Sequence, residues 1–113
     1  MTQEDKQLLL KDLCGRLPYG IRCKIDDKVI TLDYSNSWVY LLTIQQEKGF
    51  VRPYLRPMSS MTDEEQYEYN TAIDNDIEPE RIVDWYNLHH LDYRGLIPMG
   101  LALPAEEGMY SKQ

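Results

Sequence analysis

The sequence predicts an α+β fold: an N-terminal helix, a meander of three to four antiparallel strands, and two to three C-terminal helices. Three observations predict this class. Apolar residues recur at helical spacing near the start, they alternate along 19–34, and helix-start motifs concentrate after residue 60. With 113 residues, 42% of them hydrophobic, we expect one domain, 1–113, with its own core and a frayed tail over 106–113.

Residues 2–14 are predicted to form the first helix. Thr2 is a suitable N-cap, and acidic residues in the first turn complement the helix dipole. The predicted apolar stripe comprises Leu9, Leu10, Leu13, Cys14 and Leu17. Gly15 is expected to end this helix, and Pro18 prevents it from resuming.

Alternating apolar residues predict two strands, 19–25 and 28–34, joined as a hairpin by an Asp-Asp turn. The stretch WVYLLTI at 38–44 is rich in β-branched and aromatic residues, which predicts a third, central strand. After a turn at 47–49, a short fourth strand is expected at Phe50–Arg52. Such strands either curl into a small SH3-like barrel or lie as an open meander, and the sequence leaves both alternatives open.

The second half of the chain is predicted to be mainly helical. A capping box formed by Thr62 and Glu65 predicts a helix over 63–73. Pro79 favours a further helix over 79–90, because proline suits the first helical position. Its predicted buried stripe comprises Ile82, Trp85, Tyr86 and His89. The remaining expected features are a short turn capped by Asp92 and a brief extended piece at Leu101–Leu103.

Composition narrows the location of the protein. The first leucines are few and flanked by acids, so they do not form a signal peptide, and no stretch approaches the length of a membrane span. We therefore expect a cytoplasmic protein with Cys14 and Cys23 reduced, although a bridge between them is an alternative. Both thiols fall on predicted apolar faces, where a thiol is normally inert.

The charge is unevenly distributed along the chain. Residues 1–58 carry nine basic and seven acidic side chains, a net charge of +2. Residues 59–113 carry three basic and twelve acidic side chains, a net charge of −9. An anionic partner would therefore meet the first half of the chain, and a cationic partner the second.

No catalytic or metal motif emerges from the sequence. Adjacent helical residues lie about 100° apart, so His89 and His90 cannot both face one ligand, and we expect neither metal nor cofactor. Ser59 and Ser60 fit a helix-capping segment better than a nucleophile, since G-x-S-x-G is missing. DNDIEPE, at 74–80, lacks the central glycine of a calcium loop. The sequence predicts a protein that is not an enzyme.

Nine tyrosines and two tryptophans favour a protein-binding role, because these residue types are enriched at interface hot spots. The leading hypothesis is a small non-enzymatic interaction module with an unknown protein partner. The candidate surface comprises Tyr54, Arg56, Trp85, Tyr86, Tyr93 and Arg94. The sequence leaves the oligomeric state open.

Two alternatives involve nucleic acid. A basic strand face could bind single-stranded nucleic acid, with aromatic rings supplying stacking surfaces. Its candidate residues are Arg22, Lys24, Lys28 and Arg52, with Lys48 and Arg56 as further cations and Tyr19, Tyr34, Tyr40 and Tyr54 as stacking residues. Net negative charge disfavours this alternative. In the second, the acidic half mimics nucleic acid and competes for a basic enzyme.

Three stretches of the chain, LLLKDLCGRLPYGIRCKI, VRPYLRPMSSMT and VDWYNLHHLDYRGLIPMGLALPAEEGMY, form long and specific motifs. They resemble a family of short uncharacterised proteins of gut Bacteroides-type bacteria and their phages. The resemblance covers most of the chain outside 26–49. It implies a bacterial or phage cytoplasm and an accessory, phage or mobile-element gene. The family has no assigned activity, so no site residue is carried over.

Overall fold

Helix α1, Gln3–Arg16, opens the chain in a computed structural model that describes residues 2–46 and 51–110. The predicted cap is confirmed, because Thr2 Oγ1 accepts a hydrogen bond of 3.0 Å from Asp5 N. This bond satisfies one of the backbone donors that have no partner inside the helix. A 3₁₀ turn that contains Pro18 follows the helix directly.

Two predictions about α1 are wrong. The helix does not end at Gly15 but continues through it. A Cβ at Gly15 would lie only 3.0 Å from Asn87 Nδ2, so the glycine serves the close approach of two helices. Cys14 is exposed rather than part of the buried stripe, whereas Asp12 and Arg16 are fully buried. Both cysteines are free.

The predicted hairpin is confirmed, with β1 at Ile21–Ile25 and β2 at Lys28–Leu32. The strands pair antiparallel, with Cys23 opposite Ile30. Asp26 begins the turn at a φ of 53°, a left-handed conformation that aspartate tolerates better than most residues. The pair therefore forms even though Asp-Asp is a weaker turn than Asn-Gly.

The prediction of a third strand at 38–44 is wrong, because this segment belongs to helix α2, Ser37–Gln45. The error arises because both faces of α2 carry large apolar side chains. The apolar residues therefore do not recur at the three- and four-residue spacing that identifies a helix. The inward side chains are Tyr40, Leu41 and Ile44, and the outward ones are Trp38, Val39 and Leu42.

The topology of the sheet requires a crossover connection at this point, and α2 forms part of it. Strand β3, Val51–Leu55, pairs antiparallel with β1, so β2 and β3 flank β1 and run in the same direction. A tight hairpin cannot join two strands that run in the same direction, so the connection must cross the sheet. The predicted turn at 47–49, Phe50 and Lys48 lie outside the described residues.

The sheet is mixed rather than purely antiparallel. Its order is β2-β1-β3-β4, where β4, Leu103–Pro104, runs parallel to β3. The sheet is not closed, so the prediction of an SH3-like barrel is not supported. The purely antiparallel meander is also wrong, because the chain returns to β3 only after the helical second half.

Two further helices lie in the second half. Helix α3, Asp63–Asp74, begins with the predicted capping box in full, since Thr62 and Glu65 each bind the other's backbone N–H. Helix α4, Pro79–Leu88, has proline in its first turn, as predicted, and ends two residues earlier than expected. Of these two fully described helices, the buried residues are Glu65 and Asn87, and both are polar.

The hydrophobic core gathers side chains from α1, the sheet and the segment before β4. Its buried members are Leu9, Leu13, Leu17, Ile21, Cys23, Leu32, Ile44, Val51, Leu55, Leu96, Leu101 and Ala102. Tyr110, within the segment predicted to fray, is half-buried, and its hydroxyl accepts from Arg22 N and donates to Tyr54 O. Among the described residues, no helix is long and apolar enough to cross a membrane.

Candidate functional site

An apolar groove of about 390 Å³ lies between α3 and α4. Helix α3 contributes Tyr67, Tyr69, Thr71 and Ala72, and the α4 side contributes Ile77, Ile82 and Trp85, together with Arg81. We call this surface the α3–α4 groove. Tyr67 at its edge is 72% exposed, and Ile73 nearby on α3 is 45% exposed. The groove therefore presents aromatic and aliphatic surface to solvent.

Aromatic side chains connect the α3–α4 groove to the interior. The Tyr69 and Trp85 ring centroids are 6.0 Å apart, and Trp85 lies 4.4 Å from the His89 ring. Tyr86 stacks on Tyr93 at 4.9 Å with an interplanar angle of 11°. Offset and stacked rings of this kind stabilise beyond their buried area, so the floor of the groove is held in one geometry.

A buried ion cluster lies at the inner end of this aromatic series. The Asp12 carboxylate accepts from Arg16 Nε at 2.8 Å and from Arg94 Nε at 3.1 Å. Arg16 also donates to Leu91 O at 2.8 Å, so α1 is tied to the segment after α4. The guanidinium of Arg94 lies 4.8 Å from the centre of the Tyr93 ring. Desolvated charges of this kind are tolerated only when they are paired, as here.

Helix α3 is held by a second ion cluster. Arg56 binds both carboxylate oxygens of Glu65, at 2.6 and 2.8 Å, and His89 Nδ1 lies 2.9 Å from Glu65 Oε2. The side-chain hydrogen bonds from Arg56 are the main cause that lowers the pKa of Glu65 to about 2. Glu65 is therefore ionised at neutral pH and joins β3, α3 and α4 at one point.

A polar cleft of about 680 Å³ lies beside this cluster and holds both histidines. Arg56 is already committed to Glu65, Ser60 O and His89 O. His90 stacks on Tyr110 at 3.9 Å, and burial, with nearby Arg16, lowers its pKa to about 4. His90 is therefore neutral at physiological pH, and its buried Nδ1 has no hydrogen-bond partner among the described residues. Arg56, Glu65 and His89, by contrast, bind one another.

The fold brings four of the six predicted interaction residues into one series of contacts. The Trp85 ring centroid lies 6.0 Å from that of Tyr86, Tyr86 stacks on Tyr93, and Arg94 lies over the Tyr93 ring. All four are half-buried, and Trp85 lines the groove, where its Nε1 donates to Glu68 Oε2 at 3.2 Å. Tyr54 is only 6% exposed, so it lies in the core, and Arg56 is bonded to Glu65.

The predicted nucleic-acid face is partly assembled. Lys24 on β1 lies directly opposite Arg52 on β3, and Arg22 follows the same alternation. Lys28 pairs with Ile25, which places it on the other face at the end of β2. All but Lys28 are half-buried. The structure therefore brings three of the four cations to one face of the sheet.

The other residues considered from the sequence form no site among the described residues. No group of three or more His, Cys, Asp or Glu within residues 2–46 and 51–110 is placed to hold a metal ion. Cys23 is fully buried, and desolvation raises the pKa of its thiol to about 12. Ser59 and Ser60 belong to a 3₁₀ turn, in which Ser60 Oγ donates to Pro57 O.

Sequence reasoning missed the polar anchors that position the groove. Asp12 and Arg16 have the i, i+4 spacing of a helical ion pair, which was the available indication. Glu65 was recognised as a capping residue, but its bonds to Arg56 and His89 join residues far apart in the chain. Asn87 carried no indication, because it lies between apolar residues on an otherwise ordinary helix.

The electrostatics of the α3–α4 groove are one-sided. Residues 63–84 contain nine carboxylates and one arginine, Arg81. Glu65 is buried, and the other eight carboxylates are exposed. They are Asp63, Glu64, Glu68, Asp74, Asp76, Glu78, Glu80 and Asp84. Glu68 and Arg81 line the groove itself, and the helices and the segment that form it carry a strong excess of negative charge.

Comparison with known proteins adds no relative. No family model, no curated protein and no solved structure matches the chain, so no enzyme family and no enzymatic homologue is found.

Proposed function

We propose that this protein is a small non-enzymatic interaction module that binds a protein partner in the α3–α4 groove. The observation that carries the proposal is a solvent-open apolar groove, held rigid by buried ion pairs and stacked rings. Exposed apolar surface on a polar helical pair is typical of a docking site. Tyrosine and tryptophan, which line it, are the residues that dominate interface energetics.

This proposal keeps only Trp85 of the six predicted interaction residues, since the other five do not line the groove and Tyr54 lies in the core. Arg56, Arg94, Tyr86 and Tyr93 act as supports that fix the two helices, while Trp85 presents its ring to the groove. A rigid floor reduces the conformational entropy that binding must overcome, which favours affinity. The phage or mobile-element setting implied by the resemblance, and a cytoplasmic location, stay predictions.

A blocked groove tests the proposal. Ala72 lies in the groove wall, so Ala72→Phe fills the groove without removing any contact described above. Asn70→Phe on the exposed side of α3 is the matched control, since it adds the same ring outside the groove. Both variants are expected to keep the wild-type far-UV circular dichroism spectrum.

Affinity capture from a lysate of the source organism, read by quantitative mass spectrometry, compares the three proteins. We expect at least one protein that wild type and Asn70→Phe retain and Ala72→Phe loses, with one-to-one binding after reconstitution from purified components. If Ala72→Phe retains the same proteins as wild type, the groove is not the partner site and the proposal fails.

Nucleic-acid binding is the second candidate, favoured by the pairing of Lys24 with Arg52 on a shared face with Arg22. Its test is titration of a fluorescent single-stranded oligonucleotide into wild type and into Arg22→Glu with Lys24→Glu. Binding that weakens with salt and is lost in the double variant would support this candidate. Flat titrations at low salt would exclude it.

Mimicry of nucleic acid by the acidic helices is a special case of partner binding. It is identified when a captured partner is released by added DNA or RNA. A captured partner that nucleic acid does not displace argues against mimicry and leaves the interaction module as proposed.

A further inference from the structure

We infer that the α3–α4 groove takes a cationic amphipathic segment of its partner: a few aliphatic or aromatic anchor side chains flanked by lysine or arginine. The inference rests on the proposed function and names the chemistry of the occupant. It follows from the size of the groove, the nature of its floor and the charge of the two helices that form it.

The size of the groove selects a segment rather than a folded surface. At about 390 Å³, it lies near the lower end of the ~300–1,000 Å³ range of ligand pockets. Such a volume holds a few side chains presented by one element, as when the apolar face of an amphipathic helix lies in a groove. The occupant is therefore expected to be linear.

The floor of the groove favours apolar anchors. Trp85 Nε1 is already bonded to Glu68, and Asn75 Nδ2 donates to Thr71 O at 2.9 Å. With these polar groups paired inside the chain, the surface left for a ligand is mainly ring faces and aliphatic carbon, with Arg81 and the Thr71 hydroxyl as further polar groups. Anchors without polar atoms fill such a surface without leaving an unpaired donor or acceptor.

The charge of the two helices favours positive flanks. Of the eight exposed carboxylates of 63–84, Glu68 lines the groove beside Arg81, and the others lie on the same helices and on the segment between them. This field attracts cations over about one Debye length and repels an acidic segment. The faces of Tyr69 and Trp85 also attract cations. An uncharged or acidic amphipathic segment gains neither contribution.

The protein's own fluorescence reports occupancy of the groove. The chain has two tryptophans, Trp38 and Trp85. Trp38 is 69% exposed on α2, so Trp38→Phe leaves Trp85 as the single tryptophan, whose emission is excited selectively at wavelengths that tyrosine does not absorb. The probes are three short synthetic helical peptides. The first has leucine and phenylalanine anchors with lysine flanks, the second has the same anchors with glutamate flanks, and the third has lysine flanks with serine in place of the anchors.

We expect the lysine-flanked, anchored peptide to shift the emission of Trp85 and to bind roughly tenfold or more tightly than either other peptide. Its affinity should fall as salt is raised, and Ala72→Phe should abolish the shift while Asn70→Phe preserves it. Neutralising Asp74, Glu78 and Glu80 to their amides should weaken binding more than the equal charge change Glu4→Gln, Asp26→Asn and Asp27→Asn.

Three results would overturn the inference. The first is equal binding of the lysine and glutamate peptides, and the second is lysine-peptide binding that Ala72→Phe does not change. The third is concentration-dependent self-association lost in Ala72→Phe, which would identify a second copy as the occupant. The lysine peptide could also fail to bind while wild type still captures a protein that Ala72→Phe loses. In that case this inference is wrong and the proposed function stands.

Discussion

The half of the molecule built on α1 and the sheet is held together differently from the half built on α3 and α4. In the first, Leu9, Leu13 and Leu55 are fully buried in one aliphatic core. In the second, both helices are wholly described, and their buried residues are the polar Glu65 and Asn87. Aliphatic burial stabilises the first half, whereas ion pairs and half-buried rings position the second.

This difference explains why the apolar side chains of α3 and α4 are available for binding. Helix α1 buries Leu9 and Leu13 of its apolar stripe in the core, so those side chains are not available to a partner. Helix α3 is fixed by the bonds of Glu65, and α4 packs through Asn87 against Gly15 of α1, so the surface between α3 and α4 stays open to solvent. A protein can therefore keep an exposed groove rigid without enclosing it.

The largest expected effect is at the ion cluster that connects the two halves. Asp12→Ala leaves Arg16 buried without its carboxylate, so we expect a loss of about 3–5 kcal/mol in the free energy of unfolding. Urea denaturation followed by circular dichroism measures it. The exposed neighbour Lys11→Ala should change stability by less than about 0.5 kcal/mol. A loss at Asp12 as small as that at Lys11 would show that the cluster is not what joins the halves.

The next effect contrasts a core leucine with a leucine of the second half. Leu13→Ala creates a cavity in the aliphatic core, for which we expect a loss of about 2–5 kcal/mol. Leu88 on α4 is 48% exposed, so Leu88→Ala should cost much less. Both are measured in the same urea titrations. Similar losses at the two positions would contradict the proposed difference between the halves.

A smaller and pH-dependent effect is expected at Glu65. Glu65→Gln weakens the charge-assisted bonds to Arg56 and His89, which predicts a loss of about 1.5–3 kcal/mol at pH 7. Because the pKa of Glu65 is lowered in the fold from 4.5 to about 2, its contribution is present above pH 4.5 and disappears as the pH falls towards 2. The difference in unfolding free energy between Glu65→Gln and wild type should therefore shrink over that pH range. The exposed Glu64→Gln is the control. If the difference in unfolding free energy between Glu65→Gln and wild type does not change with pH, the ion cluster is not its cause.

A second pH-dependent effect concerns His90. Its pKa is lowered from 6.5 to about 4, so the unfolded chain binds the extra proton first, and stability falls as the pH decreases between these values. His90→Asn should reduce this slope, and asparagine tolerates the positive φ of 59° at this position. Unfolding free energies at pH 7.5 and 4.5 provide the comparison. An unchanged slope in the variant would assign the pH dependence to other groups.

Where the sequence predicted the fold correctly, the information was local. Thr2, the capping box at Thr62 and the proline at position 79 each act within one helical turn of their own position. The alternation that predicted β1 and β2 likewise needs only the strand itself. Tyr54 and Trp85, by contrast, looked alike in the sequence, yet one lies in the core and the other lines the groove. That distinction depends on which elements pack over them.

By itself, therefore, the sequence determined α1, the β1–β2 hairpin, α3, α4 and the acidic character of the second half. Only the tertiary structure decided that 38–44 is helical, because β3 pairs with β1 and the connection from β2 must cross the sheet. It also decided that Asp12, Arg16 and Glu65 are buried anchors and that an apolar groove opens between the two acidic helices α3 and α4. These features depend on contacts between residues distant in the chain, which caps, propensities and periodicity do not encode.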